Sequence, residues 1–118
     1  MAGIPPELEA AYHVFLEELK KHSSALAQIS SEFQASTQIT RSAEEVEKIR
    51  RSLQHKFHTI RGGAGFFQLD LIVSIATEGE LLFASLAGKD LILKALGESL
   101  PTLVERLREE NKKLSLEN

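Results

Sequence analysis

Apolar side chains recur at alternating spacings of three and four residues in three of four segments of the chain, and strand-like alternation is not sustained anywhere. This spacing places the apolar residues on one face of a helix, so the chain is predicted to be all-α. The first segment predicts one long helix over about 7–34, with Pro5 or Pro6 in the favoured first-turn position. Its apolar face consists of Leu8, Tyr12, Phe15, Leu19, His22, Leu26, Ile29 and Phe33.

A second helix is predicted over about 42–66, after a polar stretch at 34–41 that is typical of a loop. Ser42 and Glu45 have the spacing of a capping box, in which the serine accepts from a backbone N–H and the glutamate reaches back to the serine. His58 lies one residue, about 100° around the helix, from the apolar face, so we expect it at the flank of the core. That face is formed by Val46, Ile49, Leu53, Phe57, Ile60, Ala64 and Phe67.

A third helix is predicted over about 70–87, with Asp70 as its N-cap and Gly88 as its stop. A fourth is predicted over about 90–114, and because Pro101 lies inside it, we expect a kink near Gly97 rather than a straight helix. The third helix would bury Ile72, Ala76, Gly79, Leu82, Phe83 and Leu86, and the fourth Leu93, Leu96, Leu100, Leu103, Leu107, Asn111 and Leu114.

Four amphipathic helices joined by short connections predict an antiparallel up-and-down four-helix bundle. With 118 residues, of which 42% are apolar, the chain can bury one core, so a single domain over 1–118 is expected. There is no cysteine, which excludes disulfides and thiolate metal sites and fits a reducing cytoplasm. The formal charge of −3 provides no electrostatic reason to expect nucleic-acid binding.

The first seven residues lack the basic start and apolar stretch of a signal peptide. The longest apolar run, at 81–87, is far shorter than the roughly 20 residues that cross a bilayer. We therefore expect a soluble cytoplasmic protein that does not insert into membranes, and we expect it to be a monomer.

The run from His58 to Gln68 carries the candidate chemistry of the chain. On a helix, His58, Arg61, Gly62 and Gly65 are surface neighbours, so a bulky partner could reach the imidazole. An imidazole is mostly neutral at cellular pH, and its free nitrogen lone pair can act as a nucleophile. Arg61 could donate charge-assisted hydrogen bonds to phosphoryl oxygens, or it could be an ordinary solvated arginine. The glycines could end the helix or clear its surface; a nucleotide-binding loop is disfavoured because no Walker lysine follows.

This run resembles the histidine phosphotransfer family, whose motif is His, two residues, Lys or Arg, Gly, one residue, Ala or Ser. His58, Arg61, Gly62 and Ala64 match it, and the stretch 62–65 is most similar to the phosphotransfer domain of chemotaxis histidine kinases. Many members have glycine ten residues after the histidine, where this chain has Gln68. The resemblance implies a four-helix bundle that carries a phosphoryl group on the histidine.

The resemblance also implies the partners. His58 would accept the phosphoryl group from a histidine kinase domain or a phosphorylated receiver and pass it to a receiver-domain aspartate. The chain itself would bind no cofactor, since the Mg²⁺ for transfer would lie in the receiver. Docking would involve exposed apolar atoms around His58 together with Arg51, Gln54, Arg61, Gly62 and Gly65.

A carboxylate that accepts a hydrogen bond from Nδ1–H of His58 would hold the tautomer in which Nε2 is the nucleophile. In the chemotaxis subgroup, a glutamate on the neighbouring helix plays this part twenty-two residues beyond the histidine. Glu80 lies at that offset, and Glu78 is the alternative.

The sequence also bears on three other interpretations. A metal site at His55 and His58 is disfavoured because the Glu-x-x-His pairs of di-iron bundles are missing. His13 and His55 are expected at the surface, and His22 at the boundary of the core. A stand-alone ATP-dependent kinase is disfavoured because no segment of the sequence supplies a nucleotide-binding site. A structural helical adaptor, in which His58 is incidental, remains an alternative.

Two questions stay open at the level of sequence: whether the chain is a freestanding shuttle or part of a longer kinase, and which receiver it serves.

Overall fold

The computed structural model describes residues 4–35 and 41–116, and within these ranges all regular structure is helical. A 3₁₀ turn at Pro6–Leu8 leads into α1 (Glu9–Ala35), which is followed by α2 (Ala43–Phe66) and α3 (Asp70–Ser85). The last described elements are α4 (Lys89–Gly97) and α5 (Ser99–Leu116). The predicted all-α bundle is therefore confirmed, with α4 and α5 together in the place of the fourth helix.

The start of α2 follows the predicted cap in part. Ser42 Oγ accepts a hydrogen bond from the backbone N–H of Glu45 at 3.1 Å, as a capping serine should. The Glu45 carboxylate lies 3.4 Å from the Ser42 hydroxyl, so the second half of the capping box is made to the side chain rather than to the backbone N–H. Most of the predicted loop at 34–41 lies outside the described residues.

The glycines after His58 do not end α2, which continues to Phe66. The helix closes in a Schellman arrangement, since the N–H of Leu69 donates to the carbonyl of Ala64 at 2.9 Å and that of Gln68 to the carbonyl of Gly65 at 3.1 Å. Gln68 has a φ of 57°, in the left-handed region that favours glycine. The requirement of this turn for a positive φ explains why glycine suits this position, and glutamine occupies it at an energetic cost.

α3 starts at residue 70 as predicted, but the roles predicted for Asp70 and Gly88 are wrong. Leu69, not Asp70, is the N-cap, and no side chain caps the helix; Asp70 lies within the first turn, where its negative charge interacts favourably with the helix dipole. At the other end α3 stops at Ser85 rather than near 87. Gly88, predicted as the stop, is instead the N-cap of α4, with a φ of 94° that only glycine adopts readily.

The expected kink near Gly97 is a complete break. Lys89–Gly97 and Ser99–Leu116 are separate helices with only Glu98 between them, and the N–H of Glu98 closes α4 by donating to the carbonyl of Lys94 at 3.0 Å. Pro101 consequently lies in the first turn of α5, where its missing N–H removes no hydrogen bond from the helix.

The helices pack as an antiparallel bundle in which α2 packs most extensively against α3, and α1 against α5. The core matches the predicted faces in large part, but several positions shift to a neighbouring residue. In α1 the residues after three predicted positions are the buried ones: Leu16, Ser23 and Ser30. Ile75, Ile92 and Val104 are further buried residues that the predicted faces omitted.

The α2/α3 contact fixes the position of the candidate site. The rings of Phe57 and Phe83 stack at 6.1 Å between centroids, and a Cβ on Gly79 would lie 2.6 Å from the Phe57 ring. Only glycine permits this approach of the two helices. Arg50 adds a polar tie at one end, since its Nη1 donates to the carbonyl of Phe83 at 2.6 Å.

Candidate functional site

His58 lies on the solvent-facing flank of α2, beside the groove that this helix forms with α3. Its neighbours Phe57 and Ile60 are fully buried, so the helix is anchored on either side of the histidine. The His58 side chain itself is 58% exposed. Anchoring of the backbone and exposure of the imidazole together provide a fixed but accessible nitrogen.

Glu80, on α3, reaches across the groove to the histidine. Its Oε2 lies 2.8 Å from Nδ1 of His58, and its Oε1 accepts a hydrogen bond from Nε of Arg61 at 2.6 Å. The Glu80 side chain is 19% exposed, whereas that of Arg61 is 41% exposed. Each carboxylate oxygen therefore has its own partner on α2, which holds Glu80 in one orientation.

The contact with Glu80 selects the tautomer of His58. An ionised carboxylate can only accept, so the proton must lie on Nδ1, and Nε2 keeps its lone pair. Arg61 Nη2 lies 3.1 Å from the same Nδ1, but in this tautomer both nitrogens are donors and no hydrogen bond forms between them. Within residues 4–35 and 41–116, Nε2 of His58 has no hydrogen-bond partner.

Charge at the site keeps Glu80 ionised. The hydrogen bond from Arg61 is the largest cause that lowers the pKa of Glu80, and the hydrogen bond with His58 adds to it, while partial burial opposes both. A carboxylate that stays ionised can hold Nδ1–H throughout the physiological range. Arg61 therefore supports the histidine indirectly, through Glu80, and also places a guanidinium beside the imidazole.

The alternative partner, Glu78, lies elsewhere. It accepts a hydrogen bond from Nη1 of Arg106 at 2.5 Å, an ion pair that connects α3 with α5. The sequence favoured Glu80 only through the family offset, because which side of α3 packs on α2 is decided by tertiary packing and no local pattern reports it. The structure thus brings together His58, Glu80 and Arg61 and leaves Glu78 out.

Arg51 and Gln54 lie on the same face of α2 as His58, two turns and one turn before it. Arg51 is 63% exposed, with its nearest carboxylate, Glu47, at 4.0 Å. Gln54 accepts a hydrogen bond from Nη1 of Arg50 at 3.0 Å. This face therefore presents an accessible arginine, and its glutamine is held in place by the arginine that also binds the end of α3.

The four glycines of α2 and α3 near the site divide into two classes. Cβ atoms at Gly63 and Gly79 would collide with Phe15 and Phe57, so these two are required by packing. A Cβ at Gly62 or Gly65 would meet no atom within 4 Å. The fold gives no reason for glycine at these two positions, which lie one and two turns from His58.

Phe66 extends this surface and was missed by the sequence analysis. Its side chain is 65% exposed, although a phenylalanine of this size is normally buried. It follows Gly62 by four residues, so it lies one turn further along the same side of α2. The spacing of four residues from Gly62 could have indicated Phe66. The sequence analysis considered only Phe67, which lies on the buried face.

The remaining histidines are separate from this site. His13 and His55 are exposed, and His22 is half-buried, as expected for a boundary residue. Burial is the largest cause that lowers the pKa of His22, with the charge of Lys56 second. In the described part of the chain no three His, Cys, Asp or Glu side chains are grouped so that they could hold a metal ion.

A family model described as Hpt domain matches residues 10–110. No curated protein and no solved structure matches the chain. In the ranges that the structure describes, no helix combines the length and the apolar character needed to span a membrane.

Proposed function

The chain belongs to the Hpt, or histidine phosphotransfer, domain family, and we propose that His58 is the residue on which it carries the phosphoryl group. Domains of this family are phosphocarriers of two-component signalling rather than enzymes, and they interact with kinase and receiver domains. The observation that carries the proposal is the state of the imidazole: Nδ1 lies 2.8 Å from Glu80, while Nε2 has no hydrogen-bond partner among the described residues and the side chain is 58% exposed.

In the proposed transfer, the Nε2 lone pair of His58 attacks the phosphorus of a phosphorylated receiver aspartate or of a nucleotide held by a kinase domain. The N–P bond forms as the bond from phosphorus to the departing oxygen breaks, and the carboxylate or the nucleoside diphosphate leaves. Nδ1–H keeps its proton, and Glu80 stabilises the positive charge that develops on the ring. The reverse displacement delivers the phosphoryl group to a receiver aspartate.

Arg61 has two proposed roles. Through its 2.6 Å hydrogen bond it orients Glu80, and its guanidinium lies close enough to the imidazole to neutralise the oxygens of an incoming phosphoryl group. No group bound by this chain takes part, because the Mg²⁺ for phosphoryl transfer would be held in the receiver. The chain supplies the nucleophile, its orientation and a docking face.

We propose that the docking face consists of Arg51, Gln54, Gly62, Gly65 and the exposed ring of Phe66. A receiver carries an acidic pocket around its aspartate, which would suit Arg51, and an apolar surface would cover Phe66. The bare backbone at Gly62 and Gly65 leaves room for partner loops beside His58.

Three finer assignments belong to the same proposal. The stretch 62–65 supports a relationship to the phosphotransfer domains of chemotaxis kinases, since it places a glycine on each side of Ala64. Residues 1–118 would form a single phosphotransfer domain that acts as a monomer. The histidine and its partners would work in the cytoplasm, where kinase and receiver domains reside.

The test is transfer of labelled phosphate from a phosphorylated receiver to the purified chain. The label should be stable in alkali and labile in acid, as a phosphohistidine is, and His58→Gln should abolish it while circular dichroism shows an unchanged helical fold. His55→Gln, a neighbouring exposed histidine one turn away, is the matched control and should label normally. A chain that binds receivers without accepting phosphate would instead be a helical adaptor in which His58 is incidental.

A further inference from the structure

A second polar site lies between α1 and α5 and shares no residue with the site around His58. α1 packs against α5, whereas the His58 groove is formed by α2 and α3. The two helices form an open groove with a cavity of about 360 Å³. Its lining combines three basic side chains, three hydroxyls, one amide and one leucine: Lys20, Ser23, Ser24, Arg108, Asn111, Lys112, Ser115 and Leu116.

The charged side chains among the described residues that line this cavity are all basic. The chain has 17 acidic and 14 basic residues, yet no carboxylate is among the described residues that line the cavity. Lys20, Arg108 and Lys112 form no ion pair with a described carboxylate. The neighbouring lysines differ, because Lys21 lies 3.7 Å from Glu18 and Lys113 lies 3.3 Å from Glu110. The two lysines that line the groove therefore lack the ion pairs that their immediate neighbours in the sequence form.

Ser23 provides an independent observation. It is 2% exposed and lines the cavity, and its Oγ has no hydrogen-bond partner among the described residues. A buried hydroxyl without a partner is unfavourable, and native proteins rarely leave one unexplained. Asn111, 7% exposed, uses its Oδ1 to accept from Ser115, which leaves its amide N–H groups available on the same wall.

We propose that this cavity binds a small organic phosphate monoester. The three cations and the Ser23 and Asn111 donors would hold the phosphate, which carries up to two negative charges and accepts several hydrogen bonds. The volume falls within the range of small-molecule pockets, and a free phosphate ion would fill only a small part of it. Leu116 and the aliphatic stems of the two lysines would contact the organic part.

The experiment is an NMR titration of the ¹⁵N-labelled chain with phenyl phosphate and, separately, with inorganic phosphate. Phenyl phosphate should shift the amides of residues 20–24 and 108–116, and inorganic phosphate should bind the same residues more weakly. The shifts should persist in His58→Gln, which separates this site from the site around His58 and keeps its outcome independent of the phosphocarrier proposal.

Two double variants of equal charge provide the control. Lys20→Gln with Lys112→Gln removes two cations that face the cavity, and affinity for phenyl phosphate should fall about tenfold. Lys21→Gln with Lys113→Gln removes two neighbouring lysines from the same helices and should leave the affinity unchanged. Ser23→Ala should weaken binding without lowering the thermal stability of the unliganded chain.

Three results would overturn the proposal. Equal loss of affinity in both double variants would show that only net charge matters. Equal affinity for phenyl phosphate and inorganic phosphate would show that the organic part is not recognised. Displacement of phenyl phosphate by a hexaglutamate peptide of higher affinity would assign the cavity to an acidic protein segment instead.

Discussion

His58 and Glu80 are twenty-two residues apart in the chain, yet Nδ1 of one lies 2.8 Å from Oε2 of the other. The contact bridges α2 and α3, so the orientation of the imidazole depends on the register between the two helices. That register is fixed at Gly79, against which Phe57 packs, and at the carbonyl of Phe83, which Arg50 binds. The core packing between α2 and α3 therefore determines how the imidazole of His58 is oriented at the surface.

The first prediction concerns this contact. Glu80→Gln removes the charge that stabilises a positive imidazole ring and lets the amide N–H₂ face Nδ1, so the Nδ1–H tautomer should lose population. Phosphorylation of His58 should slow roughly tenfold or more, by analogy with other carboxylate–histidine pairs. The ¹⁵N shifts of the His58 ring measure the tautomer, and the labelling rate measures the consequence.

Glu78→Gln is the matched control for that prediction, since it removes the same charge from the same helix. Glu78 pairs with Arg106 on α5, so its loss should leave both the ring shifts and the labelling rate of His58 unchanged. If the two variants label equally fast, Glu80 does not position the histidine.

The second prediction concerns Arg61 and pH. Since the hydrogen bond from Arg61 is the main cause that lowers the pKa of Glu80, Arg61→Gln should raise that pKa towards the ordinary value. A glutamate whose pKa is lower in the folded state stabilises the fold above its unfolded pKa, about 4.3, and loses that contribution as pH falls through the folded pKa. The stability difference between the native chain and Arg61→Gln should therefore shrink on acidification below about pH 4.3.

Carboxyl ¹³C NMR titration of Glu80 and urea unfolding at several pH values would check this. Arg51→Gln loses the same charge about 15 Å further along α2 and should leave the titration of Glu80 unchanged. A Glu80 titration that is identical in the native chain and Arg61→Gln would contradict the role given to Arg61.

Much of the fold could be predicted because apolar periodicity reports directly which side of a helix is buried. The prediction was incomplete where burial involves polar residues. Ser23 and Ser30 lie on the buried line of α1, but a pattern of apolar residues cannot include a serine, so the neighbouring His22 was assigned to that line instead. The N-cap of α3 was predicted at the wrong residue for a different reason. An aspartate such as Asp70 is favourable both at an N-cap and in the first turn of a helix, so its presence does not distinguish the two positions.

Some residues of the site could be predicted from the sequence alone, and others could not. The spacing of His58, Arg61 and Gly62 lies within one helix, so local geometry places them together. The choice of Glu80 over Glu78 depended on a family resemblance, because no local rule reports which residue of α3 faces α2. The glycines were ambiguous for the same reason: only the rings of Phe15 and Phe57 in the folded chain distinguish packing glycines from surface ones.

The third prediction concerns the turn after α2. Gln68 has a φ of 57°, which costs an L-residue roughly 1–2 kcal/mol and glycine almost nothing. Gln68→Gly should therefore stabilise the fold by about 0.5–1 kcal/mol after the greater chain entropy of unfolded glycine is subtracted. Thermal or urea unfolding measures the change, and Gln68→Ala, which keeps the strain, should show no such gain.

The last prediction concerns Gly62, where stability and transfer should change in opposite directions. A Cβ there would meet no atom within 4 Å, so a side chain fits the bundle without a clash. Gly62→Gln should raise the free energy of unfolding by about 0.5–1 kcal/mol through helix propensity. The longer side chain would project beside His58 into the path of a receiver, so phosphoryl transfer should slow.

Two further glycine variants separate propensity from obstruction. Gly62→Ala adds almost the full gain in helix propensity but little bulk. It should therefore stabilise the fold and allow faster phosphoryl transfer than Gly62→Gln does. Gly79→Ala would place its Cβ 2.6 Å from the Phe57 ring and should destabilise the fold by about 1–3 kcal/mol. Normal transfer by Gly62→Gln would mean that the receiver docks elsewhere, because the open surface beside His58 would then have no part in binding it.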